Sequence, residues 1–340
     1  MANKARLVTA LFKSKVSAEA AVDALLKHGF TRDDISVLMS DSTRSKEFAI
    51  QTRSHAADGL GIGSAVGGTI GAVLAAIATP ADAETYAVRV VRDVPYLQGA
   101  NYADDKDKLD LYLPEGRPNA PVIVSYYGNQ LMGGDKSEDA YIGQRFASAG
   151  FVTAVVNYRL SPGVSHPAHV QDAAASFAWV KGHIREYGGN PDRVFVIGYS
   201  AGGYLAALLS TDPRYLAAHK LSPRDIRGTV PVSAFYWVER RGVAPDRDKS
   251  VWGMDPSVWV DASPAHHLQA GAPPMLILYA DRDEDWRRQQ NVEVAAAMKA
   301  AGHANVAIAM INDRTHATIW SRVAAESDDT AEHIIRFATR

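Results

Sequence analysis

The stretch that decides the fold is Val194-Phe195-Val196-Ile197-Gly198-Tyr199-Ser200-Ala201-Gly202-Gly203-Tyr204-Leu205-Ala206-Ala207-Leu208-Leu209. The apolar run before Gly198 predicts a buried strand, and the segment from Ala201 onward predicts a helix. Ser200 therefore lies on a sharp strand-to-helix turn, which holds its backbone in a strained conformation and points its hydroxyl outward. Side chains two residues to either side would collide with strand and helix, which favours glycine at 198 and 202. The pattern makes Ser200 a candidate nucleophile.

A serine hydroxyl needs a general base, and the base needs an acid that orients it. With this type of turn the acid and then the histidine follow the serine in the chain, each after a later strand. His316 follows the predicted strand Val306–Ile311, whereas His333 lies inside a predicted C-terminal helix, so His316 is the predicted base. The acids after the strand Met275–Tyr279 alternate, and the residues alone leave the choice open among Asp281, Asp283 and Asp285.

Strands and helices alternate over residues 84–340, which predicts an α/β fold with a mostly parallel sheet flanked by helices. Unbroken apolar runs are typical of strands that helices cover on both faces. A helix is predicted over Val170–Tyr187, with its end marked by Gly188. The predicted strands are Leu109–Leu113, Val122–Tyr126, Val152–Asn157, Val194–Gly198, Thr229–Val232, Met275–Tyr279 and Val306–Ile311.

His166, His169 and Asp172 are spaced three residues apart, a pattern that could suggest a metal site. Pro167 and the apolar stripe from Val170 instead favour the start of a helix, where an early aspartate is ordinary. We expect no metal and no cofactor. Two glycine motifs also fail as nucleotide sites, because residues 61–66 lack the third glycine of a dinucleotide fingerprint and residues 63–68 precede threonine instead of lysine.

Two further segments precede the α/β region. Residues 1–50 predict a strand–helix–strand unit, and residues 51–83 predict a Gly/Ala-rich apolar helix or linker. Within the second segment, glycines recur every fourth residue at Gly59, Gly63, Gly67 and Gly71. On a helix this spacing makes a smooth ridge for membrane association or self-association through residues 59–79. The alternative is a soluble helix or linker that packs on a neighbouring domain.

Composition narrows the function classes. The 340 residues carry a formal net charge of -2 and are 47% hydrophobic, as in a globular protein with a sizeable core. A basic stripe interleaved with aromatics is absent, so nucleic acid is not an expected partner. The chain has no cysteine, which excludes a thiolate nucleophile. We expect a cytoplasmic protein, with membrane association and a periplasmic location left open.

Residues 88–340 resemble the α/β-hydrolase carboxylesterases related to hormone-sensitive lipase, to feruloyl esterases and to kynurenine formamidases. This resemblance implies an ester hydrolase in which Ser200, Asp283 and His316 form the catalytic triad. The N-terminal part is similar to small bacterial general-stress proteins with a glycine zipper. The stretches that carry the hydrolase resemblance are Leu109-Asp110-Leu111-Tyr112-Leu113-Pro114, Gly133-Gly134-Asp135-Lys136, Asn157-Tyr158-Arg159-Leu160-Ser161-Pro162, Tyr187-Gly188-Gly189-Asn190-Pro191-Asp192-Arg193 and Gly198-Tyr199-Ser200-Ala201-Gly202-Gly203.

One loop departs from the family. Where the family has His-Gly-Gly-Gly or His-Gly-Gly-x-Trp, whose backbone N–H groups form the oxyanion hole, this chain has Tyr127-Gly128-Asn129-Gln130-Leu131. Backbone N–H groups of Asn129 and Gln130, near Gly128, could still donate alongside that of Ala201, since asparagine tolerates left-handed backbone angles. Loss of one such donor would lower turnover by roughly two to three orders of magnitude.

Aromatic side chains that could line the substrate site predict that the substrates are small acyl or aromatic esters. The candidate substrate-binding residues are Tyr127, Tyr199, Phe235, Tyr236 and Trp237. Ordinary core and loop packing is an equally good interpretation of the run at 235–237. Two other functions stay open: an arylformamidase or other amidase that uses the same triad, and a weakly active, membrane-associated binding or stress module.

Overall fold

The computed structural model describes residues 85–97, 99, 102, 104–240, 244–325 and 327–339. The predictions for residues 1–50 and 51–83, including the glycine series and the membrane or self-association of 59–79, lie outside the described residues. Within the described ranges, no helix combines the length and the apolar character needed to cross a membrane.

The described residues form one eight-stranded sheet with the strand order β1-β2-β4-β3-β5-β6-β7-β8. Strand β2 pairs antiparallel with both β1 and β4, and every later pairing is parallel. The strands are β1 Val88–Pro95, β2 Lys108–Pro114, β3 Ala120–Tyr126, β4 Val152–Val156, β5 Gly189–Tyr199, β6 Gly228–Val232, β7 Met275–Arg282 and β8 Val306–Thr315. The predicted fold class is confirmed.

Helices lie on both faces of this sheet. They are α1 Ala140–Ser148, α2 Ala168–His183, α3 Ala201–Thr211, α4 Pro213–Ala217, α5 Pro245–Trp252, α6 Pro256–Asp261, α7 Asp285–Ala300, α8 Thr318–Ser321 and α9 Asp329–Ala338. Because side chains alternate along a strand, the two faces build separate cores. Val122 and Val124 pack on one side with α2 and α3, whereas Ile123 packs on the other with α1, α8 and α9.

Strand β1 was not among the predicted strands. It is an edge strand whose only pairing in the described sheet is with β2, and it carries charged Arg89 and Arg92 among its valines. Its burial is partial because one edge and part of one face meet solvent, so it lacks the continuous apolar run of the central strands. Edge strands commonly carry such charges, which oppose edge-to-edge aggregation.

The segment around the spaced histidines begins a helix, as predicted. Helix α2 starts at Ala168, and a 3-10 turn over Ile184–Tyr187 carries it to Gly188, whose φ of 84° ends it. The polar side chains serve separate packing contacts. His169 Nε2 lies 3.1 Å from the Ser161 hydroxyl, and the Asp172 carboxylate pairs with the Arg159 guanidinium at 2.7 Å.

Candidate active site

The turn between β5 and α3 has the strained geometry expected of it. Ser200 has φ 54° and ψ −114°, outside the regions that L-residues favour, and its N–H donates to Val232 O at 2.8 Å. A Cβ on Gly198 would lie 2.3 Å from the carbonyl oxygen of Gly202, and one on Gly202 would lie 2.0 Å from that of Tyr126. Both glycines are therefore required by close backbone approach, the second by the adjacent strand β3.

A hydrogen-bond chain connects Ser200, His316 and Asp283. His316 Nε2 lies 3.0 Å from Ser200 Oγ, and His316 Nδ1 lies 2.8 Å from Asp283 Oδ1. The three residues follow β5, β8 and β7, at the carboxyl edge where parallel strands place their loops together. A chain of this kind lets the imidazole take the serine proton while the carboxylate holds its orientation and tautomer.

Asp283 is held as a buried carboxylate. Its Oδ2 accepts hydrogen bonds from the Ser233 hydroxyl at 2.5 Å and from the Ala280 N–H at 3.0 Å. Burial raises the pKa of Asp283, but the hydrogen bonds from His316 and Ser233 outweigh it and leave the pKa below its ordinary value. The Asp283 side chain is therefore charged at neutral pH and available to orient His316.

The neighbouring acids have other partners. The Asp281 carboxylate accepts the backbone N–H of Arg314 at 2.9 Å and so joins the ends of β7 and β8. Asp285 begins α7 with a side chain that is 93% exposed, and it pairs with Arg288. The geometry therefore distinguishes among acids that the sequence pattern left equivalent.

The described residues that could together hold a metal ion are Asp283, Glu284 and His316, whose ligand atoms lie within 4.8 Å of one another. Asp283 and His316 are already hydrogen-bonded to each other, and Glu284 pairs with Arg287 Nε at 3.0 Å. This cluster is thus part of the serine–histidine–aspartate arrangement.

The loop after β3 takes an unusual backbone path. Asn129, Gln130 and Leu131 have φ angles of 72°, 62° and 63°, three consecutive left-handed residues without a glycine. In the described part of the chain, the backbone N–H groups of Asn129 and Gln130 donate to no protein acceptor. Because Tyr126 pairs with Gly198 across β3 and β5, this loop and Ser200 leave adjacent strands at the same edge.

The segment after β4 holds this loop in place. The Tyr158 hydroxyl donates to Tyr127 O at 2.8 Å and to Gly128 O at 3.2 Å, and its ring stacks on Tyr127 with centroids 4.5 Å apart. The Ser161 N–H donates to Leu131 O at 2.9 Å. These bonds satisfy carbonyls at both ends of the loop and support a conformation that otherwise favours glycine.

The predicted substrate-binding aromatics divide into two groups. Tyr199 is half-buried with its ring 5.0 Å from the His316 imidazole, and Trp237 is half-buried beneath the Arg240 guanidinium. The other three, Tyr127, Phe235 and Tyr236, are buried among other side chains. Tyr236 is in the core against α7, where Gln290 Oε1 accepts its backbone N–H at 2.7 Å.

Sequence reasoning missed several residues that support the site. Ser233 follows β6 directly, and Arg287 lies one turn after Asp283 and donates to Ser233 O at 2.9 Å. Ser233 could have been found from its position, because it follows a predicted strand at the edge that carries the other site residues. Asp139 and Trp320, which bond each other at 3.0 Å, gave no comparable signal because they are 181 residues apart in the chain.

Comparison with solved structures identifies the class of fold. The chain superposes on a truncated carbohydrate esterase from gut microbiota with a TM-score of 0.64 at 21% identity, covering 75% of this chain and 96% of the other. It matches an esterase of Pyrobaculum calidifontis with a TM-score of 0.61 at 22% identity, covering 74% and 84%. The fold is that of the α/β hydrolases.

Comparison of sequences gives more specific relatives. The BD-FAE family model matches residues 109–220, which include Ser200 and the loop after β3. Esterase LipQ of Mycobacterium tuberculosis is 28% identical over 69% of this chain and 60% of its own length. The probable carboxylic ester hydrolase LipM of the same organism is 32% identical over 54% and 45%. The chain thus spans about half the length of these curated relatives.

Proposed function

We propose that the protein hydrolyses carboxylic esters through an acyl-enzyme intermediate. Ser200 is the nucleophile, His316 the general base and Asp283 the acid that orients His316. The observation that carries the proposal is the continuous hydrogen-bond chain among these three residues, at 3.0 and 2.8 Å, on a strained strand-to-helix turn. Relatives and structural neighbours described as esterases support the same bond type.

In the first half-reaction, Ser200 Oγ attacks the acyl carbon while its proton passes to His316 Nε2. His316 then gives this proton to the leaving alcohol, and an ester bond to Ser200 remains. In the second half-reaction His316 takes a proton from water, which attacks the acyl-enzyme, and Ser200 leaves as the protonated hydroxyl. The charge on Asp283 stabilises the imidazolium that forms in each step.

The proposed oxyanion hole consists of backbone N–H groups of Ala201, Asn129 and Gln130. Ala201 is the first residue of α3, where helix N–H groups have no partner within the helix. The unused N–H groups of Asn129 and Gln130 on the adjacent loop support this assignment. Gly128 contributes by packing, since a Cβ there would lie 2.9 Å from the Tyr199 ring.

Small acyl or aromatic esters are the proposed substrates. The half-buried ring of Tyr199, 5.0 Å from the His316 imidazole, favours flat or short groups over long chains. Cytoplasmic location, with membrane association or self-association through residues 59–79, belongs to the same proposal and rests on sequence alone. Cosedimentation of the full chain with lipid vesicles, compared with its size in solution, tests that part.

The test is turnover of p-nitrophenyl acetate, butyrate and benzoate by the wild type and by Ser200→Ala. We expect the variant to lose at least about three orders of magnitude in kcat, since the serine forms the covalent intermediate. Equal rates for the two proteins would refute the assignment. Parallel assays on N-formylkynurenine separate the amidase alternative, which predicts faster turnover of the formamide than of the aryl esters.

A further inference from the structure

A line of contacts leads from a buried carboxyl to the proposed catalytic histidine. Asp139 Oδ2 accepts a hydrogen bond from the Trp320 indole N–H at 3.0 Å. The Trp320 ring stacks on Tyr199, with centroids 5.6 Å apart and planes 9° apart. Tyr199 also packs against the His316 imidazole, with ring centroids 5.0 Å apart. Each member of the line therefore contacts the next.

These residues come from different parts of the fold. Trp320 follows His316 by four residues in the short helix α8, and Tyr199 immediately precedes Ser200. Asp139 comes before α1, after the loop that follows β3. The indole N–H is the single donor of a tryptophan side chain, so its acceptor fixes the rotation of the ring. Asp139 thereby sets the plane on which Tyr199 stacks.

Asp139 has no role as a helix cap that would explain its burial. It occupies the N-cap position of α1, yet its side chain makes no capping hydrogen bond. A buried carboxyl is costly unless it is hydrogen-bonded, and this carboxylate accepts hydrogen bonds from the Trp320 indole and from Tyr141 of α1. The side chain is therefore placed to hold the segment that carries His316.

We propose that Asp139 is a positioning residue for His316, acting through Trp320 and Tyr199. The inference rests on the proposed hydrolase function and adds a device that sets the orientation of its base. The imidazole is fixed at Nδ1 by Asp283, and the tyrosine ring limits its movement out of the plane of that bond. Loss of the indole anchor frees Tyr199 to shift and lets His316 leave the position from which it reaches Ser200.

The charge state of Asp139 adds a readout that simple packing lacks. Burial raises the pKa of Asp139 to about 6, although hydrogen bonds from Trp320 and Tyr141 lower it. Other titratable groups that face it are Glu138 beside it, Tyr199 of β5 and Tyr158 after β4. A carboxylate accepts a stronger hydrogen bond than a carboxylic acid, so the anchor weakens as pH falls through about 6.

The experiment compares Asp139→Leu, Asp139→Asn, Trp320→Phe and the double variant Asp139→Leu/Trp320→Phe with the wild type on p-nitrophenyl butyrate. We expect Asp139→Leu and Trp320→Phe each to lower kcat about tenfold with KM within about twofold, and the double variant to be no slower than either. Asp139→Asn keeps an acceptor oxygen and restores most of the rate. As the pH is lowered from 7.5 to 5, the kcat of Asp139→Asn should rise relative to that of the wild type. The reason is that the wild-type carboxylate is protonated over this range, whereas the amide does not titrate.

Trp179→Phe is the matched control, since Trp179 is a half-buried tryptophan that stacks on His183 in α2, and we expect it to stay within about twofold. If Asp139→Leu does not fold, Trp320→Phe carries the test, because it keeps a ring in the same space. Additive losses, or a Trp320→Phe rate and pH profile equal to those of the wild type, overturn the proposal. A wild type no faster than Ser200→Ala overturns the hydrolase function and this proposal with it.

Discussion

The Ser233 hydroxyl donates to Asp283 Oδ2 at 2.5 Å, and both residues are buried. Ser233 has a left-handed φ of 47°, and its carbonyl oxygen accepts from Arg287 Nη1 at 2.9 Å. This strained backbone directs the hydroxyl to the oxygen of Asp283 that His316 does not use. Ser233 therefore completes the hydrogen-bonding of the buried acid and helps to keep it ionised.

Removal of the Ser233 hydroxyl should lower catalysis by weakening Asp283. For both Ser233→Ala and Ser233→Gly we expect kcat to fall about ten- to a hundredfold with little change in KM, as a hydrogen bond to a charged group contributes about 1.5–3 kcal/mol. Loss of the donor moves the pKa of Asp283 upward from its lowered value. As the pH is lowered, the variants should therefore begin to lose activity at a higher pH than the wild type. Steady-state kinetics between pH 4 and 9 give both results.

The two substitutions also separate the hydroxyl from the backbone. Glycine accepts a φ of 47° without strain, whereas alanine does not. If Ser233 acts only through its backbone, Ser233→Ala, which keeps the Cβ, will be as active as the wild type, and only Ser233→Gly, which relaxes the φ of 47°, will differ. Equal losses in both variants identify the hydroxyl as the cause.

Asp283→Asn should lower kcat by about four orders of magnitude, because an amide in this position favours the wrong imidazole tautomer. The chain offers a matched control two residues later, since Asp285 is a first-turn residue of α7 with an exposed side chain. Asp285→Asn should keep kcat within about twofold. A larger effect at 285 than at 283 would contradict the assignment of the acid.

Asn129 and Gln130 should tolerate glycine, since the proposed contribution of each is a backbone N–H. Glycine relaxes the left-handed φ angles of 72° and 62° and keeps the donor. We expect Asn129→Gly and Gln130→Gly to keep kcat within about threefold. Gln130→Val, β-branched at a left-handed position, should destabilise the fold by about 1–3 kcal/mol and lower kcat. Thermal unfolding and p-nitrophenyl butyrate turnover measure both; a tenfold loss in Gln130→Gly would point to the side chain instead.

The central sheet was predictable because its strands are buried on both faces. Runs such as Val122–Tyr126 and Val194–Gly198 have no polar face to maintain, so apolar continuity alone marks them. Strand β1 was not predicted because its charged residues interrupt the apolar run. The local sequence therefore predicts strands well where both faces are buried and poorly at the edge of the sheet.

The site was predictable to the extent that chain order determines it. Ser200 and His316 follow from the turn pattern and from their order after the last strands, but Asp281, Asp283 and Asp285 share the same local pattern. Which acid meets His316 depends on the way β7 and β8 end, through the bond between Asp281 and the Arg314 N–H. The burial of Tyr236 likewise depends on α7, whose Gln290 is 54 residues away in the chain.

Acid should destabilise the fold through the buried His169. Burial lowers the pKa of His169 to about 3, with smaller effects from His166 and Arg159, whereas the unfolded chain titrates near 6.5. The unfolded state therefore binds the proton first, and this contribution to stability is present above pH 6.5 and lost as pH falls toward 3. We expect the stability difference between wild type and His169→Gln to shrink by about 2 kcal/mol from pH 8 to pH 5. Urea unfolding at both pH values measures it, and a constant difference would contradict the prediction.

Gly202→Ala should damage both the fold and the site. The new Cβ would lie 2.0 Å from Tyr126 O and 2.4 Å from Tyr127 O, and backbone at the end of a central strand cannot move aside as a flexible side chain can. Helix α3 must therefore shift away from β3. This shift separates Ser200 from the loop at 128–130 and lowers the kcat of the protein that does fold.

Gly182 in α2 is the control, because a Cβ there meets nothing within 4 Å. Gly182→Ala should leave kcat unchanged and stabilise the protein by up to about 1 kcal/mol. Thermal unfolding and kcat of both variants decide the matter: if Gly202→Ala matches Gly182→Ala in either quantity, the close approach of β3 and α3 is not what requires glycine at 202.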